Sequence, residues 1–161
     1  MKKIFVSTLT ALLLLIVLAS TVFAAPLAGE RQLPLKGFVE TTEIPNVIFP
    51  YNYVSLTGNG NATQLGRFTY DMQAVLFLPT LTARSVSATI VAADGSSIFA
   101  EGSGQGTIIT PPFIVSIVET LTITGGTDRF EGAQGTVVVE RVLNRATGVS
   151  SGTISGTILL P

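Results

Sequence analysis

Glu119 is the carboxylate best placed for chemistry in this sequence. It lies in a run, residues 113–124, where Phe113, Val115, Ile117, Leu121 and Ile123 share its parity and Ile114, Ser116, Val118, Thr120, Thr122 and Thr124 take the other. Successive side chains of a strand point to opposite faces. If the apolar face turns inward, Glu119 is an acid among hydrophobes, where desolvation favours its protonated form and suits it to act as a general acid or to anchor a polar ligand group. If that face turns outward, or if an arginine pairs with Glu119, the role is structural. A second run alternates from Gly66 onward, with Phe68, Tyr70, Met72, Ala74 and Leu76 on one face and Arg67, Thr69, Asp71 and Gln73 on the other. A buried tyrosine orients a ligand through its hydroxyl, or is core with that hydroxyl satisfied. The candidate ligand-contacting set is therefore Phe68, Tyr70, Met72, Ile117 and Glu119, and the only catalytic candidate is Glu119.

Other polar residues carry less. Arg67 and Asp71 are four apart on one strand face, too far to pair, and read as solvated. Glu140 and Arg141 fall on opposite faces of one strand, so a closed barrel turns one of them inward, and the sequence leaves open which. Asn61-Ala62-Thr63 has the pattern of a glycosylation acceptor and reads equally as turn-forming Asn in a loop. Asp94 and Asp128 lack the spacing of a calcium loop. The chain has no His and no Cys, which removes Cys- or His-ligated zinc, His-ligated haem, Ser-His-Asp triads and Cys-His dyads. No metal or cofactor is expected.

These residues must be positioned by strands, because no segment beyond the N-terminus has helical periodicity. Residues 33–42 read as the first strand, with Pro34 near its start, where a missing N–H is tolerated. Residues 43–53, with Pro45, Pro50, Asn46 and Asn52, read as a loop or irregular cap. A strand from Tyr53 runs into Thr57-Gly58-Asn59-Gly60-Asn61-Ala62, read as a turn or bulge. After the alternating strand ends at Pro79, residues 85–93 and 97–104 form a hairpin across Asp94-Gly95. Gly102, Gly104 and Gly106 loosen the return strand. Pro111-Pro112 breaks the chain before residues 113–124. Gly125-Gly126-Thr127-Asp128 turns it toward residues 136–143, and residues 144–148 turn it into the last strand, 150–160, with Ser151, Thr153, Ser155 and Thr157 on one face. Seven or eight strands joined by short turns point to a sandwich or a barrel. Closure into an up-and-down barrel removes exposed edges, a hazard in a chain with only 12% charged residues.

The N-terminus reads as a secretory signal: Lys2 and Lys3, an apolar stretch over residues 4–18, then Val22-Phe23-Ala24 as a small-residue processing site before Ala25. The apolar run is shorter than the roughly 20 residues of a spanning helix. The expected organisation is a cleaved signal at 1–24, a flexible leader at 25–32 and one β-domain at 33–161, secreted or periplasmic, with no stable membrane insertion after cleavage. The chain has 9 basic and 10 acidic residues, and cleavage removes two lysines. Nucleic acid and anionic membrane surfaces are therefore poor partners on overall charge. Without cysteine, stability rests on packing and strand pairing.

The block Ile123-Thr124-Gly125-Gly126-Thr127-Asp128-Arg129-Phe130-Glu131-Gly132-Ala133-Gln134-Gly135-Thr136 resembles the strand–turn–strand signature of the allene oxide cyclase and dirigent proteins. Gly125-Gly126 permits a tight reversal, and Phe130 suits a plug at a barrel rim. Asn61-Ala62-Thr63-Gln64-Leu65-Gly66-Arg67-Phe68-Thr69 is similar to a segment of bacterial secreted proteins of the same barrel type, which read G-x-x-T-x-L-G-x-F-T. The resemblance spans most of residues 58–158. It implies an all-β fold, a single eight-stranded antiparallel up-and-down barrel with an apolar cavity, and a homotrimer. The polar residues with which cyclases handle an epoxide, and the Asp, Arg and Tyr contexts of dirigent proteins, have no recognisable match here. The expected function is a barrel that holds a small apolar molecule without catalysing its conversion. The alternatives are a cyclase- or dirigent-like protein acting on a reactive intermediate through Glu119 or Tyr70, and a self-assembling structural protein.

Overall fold

The computed structural model describes residues 31–161. Eight strands follow one another: β1 (Arg31–Ile48), β2 (Tyr51–Ala62), β3 (Gly66–Phe77), β4 (Thr82–Ala92), β5 (Ser97–Thr110), β6 (Ile114–Gly126), β7 (Gln134–Asn144) and β8 (Val149–Leu160). Each pairs antiparallel with the next, and β1 pairs with β8 to close the barrel. The only other element among the described residues is a 3₁₀ turn, Asp128–Phe130. The eight-stranded antiparallel up-and-down barrel expected from the sequence is the observed fold. The proposed signal, and residues 25–30 of the proposed leader, lie outside the described residues; Arg31 and Gln32 already belong to β1, opposite Leu160 and Leu159.

Two segments read as irregular are strand. Residues 43–48 continue β1, and the turn to β2 is confined to Phe49-Pro50. Pro45 is tolerated because β1 pairs with β8 only as far as Thr42. The Glu43 N–H still reaches the Gly148 carbonyl at 2.9 Å; two residues on, the Pro45 nitrogen faces the same side, where no strand follows, so no ladder bond is lost. The segment 57–62 continues β2, and the turn falls at residues 63–65, where Gln64 takes φ 68°. Gly58 and Gly60 serve close approach rather than reversal. A Cβ at Gly60 would meet the Phe38 carbonyl and the Phe68 ring.

The inward faces divide the barrel into two halves. At the end holding the turns after β2, β4 and β6, the interior is filled by Leu35, Leu65, Ile90, Ile98, Phe130 and Ile158, each no more than 1% exposed. Phe130 enters this closed end from the 3₁₀ turn, as a plug, with the Arg129 guanidinium 4.4 Å above its ring. Toward the other end the inward residues shrink. Along β5 the inward series runs Ile98, Ala100, Gly102, Gly104, Gly106; Gly104 and Gly106 line the unfilled space, whereas a Cβ at Gly102, or at Gly152 and Gly156 on β8, would strike the backbone of the adjacent strand. Removing side-chain volume at alternate positions leaves the mouth end unfilled.

Candidate functional site

The space left at the mouth is a cavity of about 70 Å³, walled by Val54, Met72, Ala74, Leu76, Val115, Ile117 and Leu143, with Glu43, Asn52, Gln105, Glu119, Arg141 and Arg145 as its polar lining. That volume holds several waters or one small ring. A larger depression beside Phe38, Asn59 and Arg67 is open and shallow, and mainly outward-facing side chains build it.

At the cavity floor, register builds a charged cluster. Glu119 on β6 stands opposite Val139, and Arg141 lies two residues further along β7 on the same inward face, a diagonal placement that long side chains span. Arg141 Nη2 donates to Glu119 Oε1 at 2.9 Å and Nε donates to Oε2 at 3.3 Å, a two-pronged contact. Nη1 donates to Ser150 Oγ at 3.1 Å and to Glu43 Oε2 at 3.4 Å. Ser150 is in turn 2.5 Å from Thr41 Oγ1. Glycines make room for this arrangement. A Cβ at Gly104 would lie 2.9 Å from Glu119 Cγ, and one at Gly152 would meet the Glu140 carbonyl and Arg141 Cα, so Gly152 lets β8 approach β7 closely beside the arginine.

Both charged partners are deeply buried; the side chains of Arg141 and Glu119 are 3% and 2% exposed. Burial works against the charged form of Arg141, but the attraction of Glu119 and Glu43 outweighs it and the guanidinium pKa rises. Burial pushes the Glu43 carboxyl above its ordinary value of 4.5; Arg141 opposes the shift and Glu119 adds to it. Two carboxylates thus share one guanidinium, Glu119 at 2.9 Å and Glu43 at 3.4 Å, and burial favours the protonated form of Glu43. Tyr70 is 1% exposed, and its hydroxyl donates to Met72 Sδ at 3.3 Å. Burial, reinforced by the charge of Glu119, raises its pKa far above the phenol range. Asn52 Oδ1, buried on the cavity wall, has no hydrogen-bond partner.

Of the residues expected at a site, Met72, Ile117 and Glu119 line the cavity. Tyr70 lies beneath it, in contact with Met72. Phe68 does not reach it: its position opposite Gly60 and Ala92 puts it a layer lower, in the packed half. Glu119 faces inward and is paired with Arg141, the arginine-paired arrangement the sequence left open. Of the adjacent Glu140 and Arg141, the arginine points in. Glu43 and Asn52 are the residues that sequence reasoning missed, both within the segment read as a loop. The alternate glycines of β5 were the available signal: glycine at every second inward position marks a cavity wall. No group of three Asp, Glu, His or Cys among the described residues could hold a metal ion.

No protein-family model and no curated protein sequence matches the chain. Several solved chains share its architecture, two dirigent proteins among them. The pterocarpan synthase dirigent protein GePTS1 superposes with a TM-score of 0.58 at 11% identity, covering 86% of this chain and 94% of its own. The pterocarpan synthase dirigent protein PsPTS1 gives 0.53 at 14% identity, covering 80% and 94%. At that identity the likeness concerns the fold, and this chain is an eight-stranded antiparallel barrel of the dirigent type.

Proposed function

We propose that this barrel binds a small, mostly apolar molecule at its open end, and that the molecule presents one O–H or N–H donor to the cavity wall. The observation that carries this reading is the Asn52 Oδ1 acceptor, buried and without a partner in a cavity whose other walls are largely aliphatic. A buried acceptor left unmet costs about 1–3 kcal/mol, and a ligand donor recovers that cost. The aliphatic walls take the apolar body, and Arg141, fixed by Glu119, sets the field at the floor. The N-terminal signal pattern supports action outside the cytoplasm, and the dirigent-type fold supports a homotrimer.

Native mass spectrometry of the mature protein from its secretion host, followed by extraction of bound material, tests this. The expected result is a bound compound with an apolar ring or chain and one hydroxyl or amine. Repeated recovery of empty protein, or of a compound without a donor, would overturn it.

Glu43 favours a second reading, in which the bound molecule is reactive and the barrel controls its fate. A carboxyl that keeps its proton above the ordinary range, on a cavity wall, can protonate a bound intermediate. If so, Glu43→Gln abolishes conversion of the extracted compound while leaving its affinity within about threefold. Unchanged conversion would sink this second reading.

A further inference from the structure

Two hairpin tips stand at the mouth rim, on opposite sides of the opening. β1 runs past its last pairing with β8 at Thr42 to Ile48, and β5 runs past its last pairing with β4 at Gln105 to Thr110, the stagger by which the strands of a sheared barrel end level. The Leu78 N–H donates to the Pro50 carbonyl and the Arg145 N–H to the Phe113 carbonyl, so each tip is flanked by a neighbouring turn. In a closed ring of eight strands, β1–β2 and β5–β6 stand four strands apart, across the opening. Both tips are apolar and turned to solvent. Phe49 is 79% exposed and Ile48 61%; Ile109 is 56% and Phe113 53%.

Exposed charge is distributed to match. Glu40, Asp71, Glu101 and Glu140 ring the waist, and the remaining exposed carboxylates among the described residues stand at the turns of the closed end. At the mouth the exposed charges are Arg84 and Arg145. The overall acidity that argues against anionic surfaces is therefore absent from this end. Apolar exposure continues from the β1–β2 tip along that hairpin, at Ile44, Val47, Tyr51 and Tyr53, so a second copy of this chain is the competing occupant. A lipid surface requires only that apolar and aromatic tips reach the same level, with cations beside them for anionic headgroups.

We infer that the mouth end docks on a bilayer containing anionic lipid, with the β1–β2 and β5–β6 tips inserted among the headgroups, so that the cavity opens onto the membrane. The inference rests on the rim alone and is independent of what occupies the cavity.

The test uses a chain beginning at Ala25. It contains every strand of the barrel and lacks the apolar N-terminal stretch, which would bind lipid by itself. Flotation is measured with vesicles of phosphatidylcholine and with equimolar phosphatidylcholine and phosphatidylglycerol. The chain is expected to float with the mixed vesicles. Ile48→Ser with Phe49→Ser, and separately Ile109→Ser with Phe113→Ser, should each lower partitioning about tenfold or more, circular dichroism being unchanged. Arg84→Gln with Arg145→Gln should weaken binding to the mixed vesicles more than to phosphatidylcholine alone. The sequence has no tryptophan, so Phe49→Trp is a lone reporter whose emission should shift to the blue and be quenched by brominated acyl chains. Failure of the wild-type chain to float, tip variants that float as well as wild type, or an unshifted Trp emission would each overturn the inference. Self-association in sedimentation velocity that the same tip substitutions abolish, without vesicle binding, would reassign the tips to contacts between copies.

Discussion

Replacing Arg141 with methionine removes the only cation of a buried cluster and leaves Glu119 facing aliphatic walls. The side chain makes four hydrogen bonds, two to Glu119 and one each to Ser150 and Glu43. Loss of one partner of a buried ion pair costs about 3–5 kcal/mol, because the remaining charge is left uncompensated. For a domain of this size that is roughly 10–20 °C in Tm. The double change Arg141→Met with Glu119→Leu removes the deeply buried pair and leaves only Glu43, whose side chain is 12% exposed, and apolar replacement of a whole buried pair is close to neutral. It should therefore recover most of the loss, giving a coupling energy of about 2–4 kcal/mol in the mutant cycle. Urea and thermal unfolding followed by circular dichroism measure both. An Arg141→Met barrel within about 1 kcal/mol of wild type, or a double variant no more stable than the single one, would refute the reasoning.

Glu43 gives a pH signature. Its folded pKa lies above the ordinary 4.5, so folding takes up a proton in the window between the two values, and stability falls as pH rises through it. Glu43→Gln should flatten that slope and be at least as stable as wild type near neutrality; parallel stability–pH curves would contradict this. Tyr70→Phe should change stability by less than about 1 kcal/mol, since the lost hydroxyl donates only to a thioether; a loss above about 2 kcal/mol would reveal a stronger partner. Tyr70 should form no phenolate while the barrel is folded, so alkaline ultraviolet titrations of wild type and Tyr70→Phe should coincide up to unfolding. Extra phenolate absorbance in wild type before that point would contradict its burial.

The alternation in residues 66–76 and 113–124 was legible because a strand with one buried face writes a period of two into the sequence. It named Met72, Ile117 and Glu119 as members of apolar strand faces, without deciding which faces turn inward. It could not supply Glu119 with its partner. Arg141 is 22 residues away, and the choice between Glu140 and Arg141 depends on the β6–β7 register, which local pattern does not encode. Glu43 and Asn52 were hidden by Pro45 and Pro50, which argue for a loop wherever the pairing of an edge is unknown. Gly58 and Gly60 misled in the same direction, since a glycine required by a neighbouring carbonyl and ring looks like a glycine required by a turn. Phe68 shares the face of Tyr70 and Met72, but parity does not say at which height along the barrel the side chains stop filling the interior. That height is set by the glycines of β5, on another strand.

The central claim is that the cavity selects an apolar molecule through a donor to Asn52, and a matched pair of probes tests it most directly. Calorimetric titration with p-cresol and with its methyl ether, against wild type and Asn52→Leu, separates the donor from the apolar body. The account predicts that wild type prefers p-cresol about tenfold or more, and that Asn52→Leu loses this preference while still binding the ether. Equal affinity of wild type for the two probes, or a preference that survives Asn52→Leu, would contradict it.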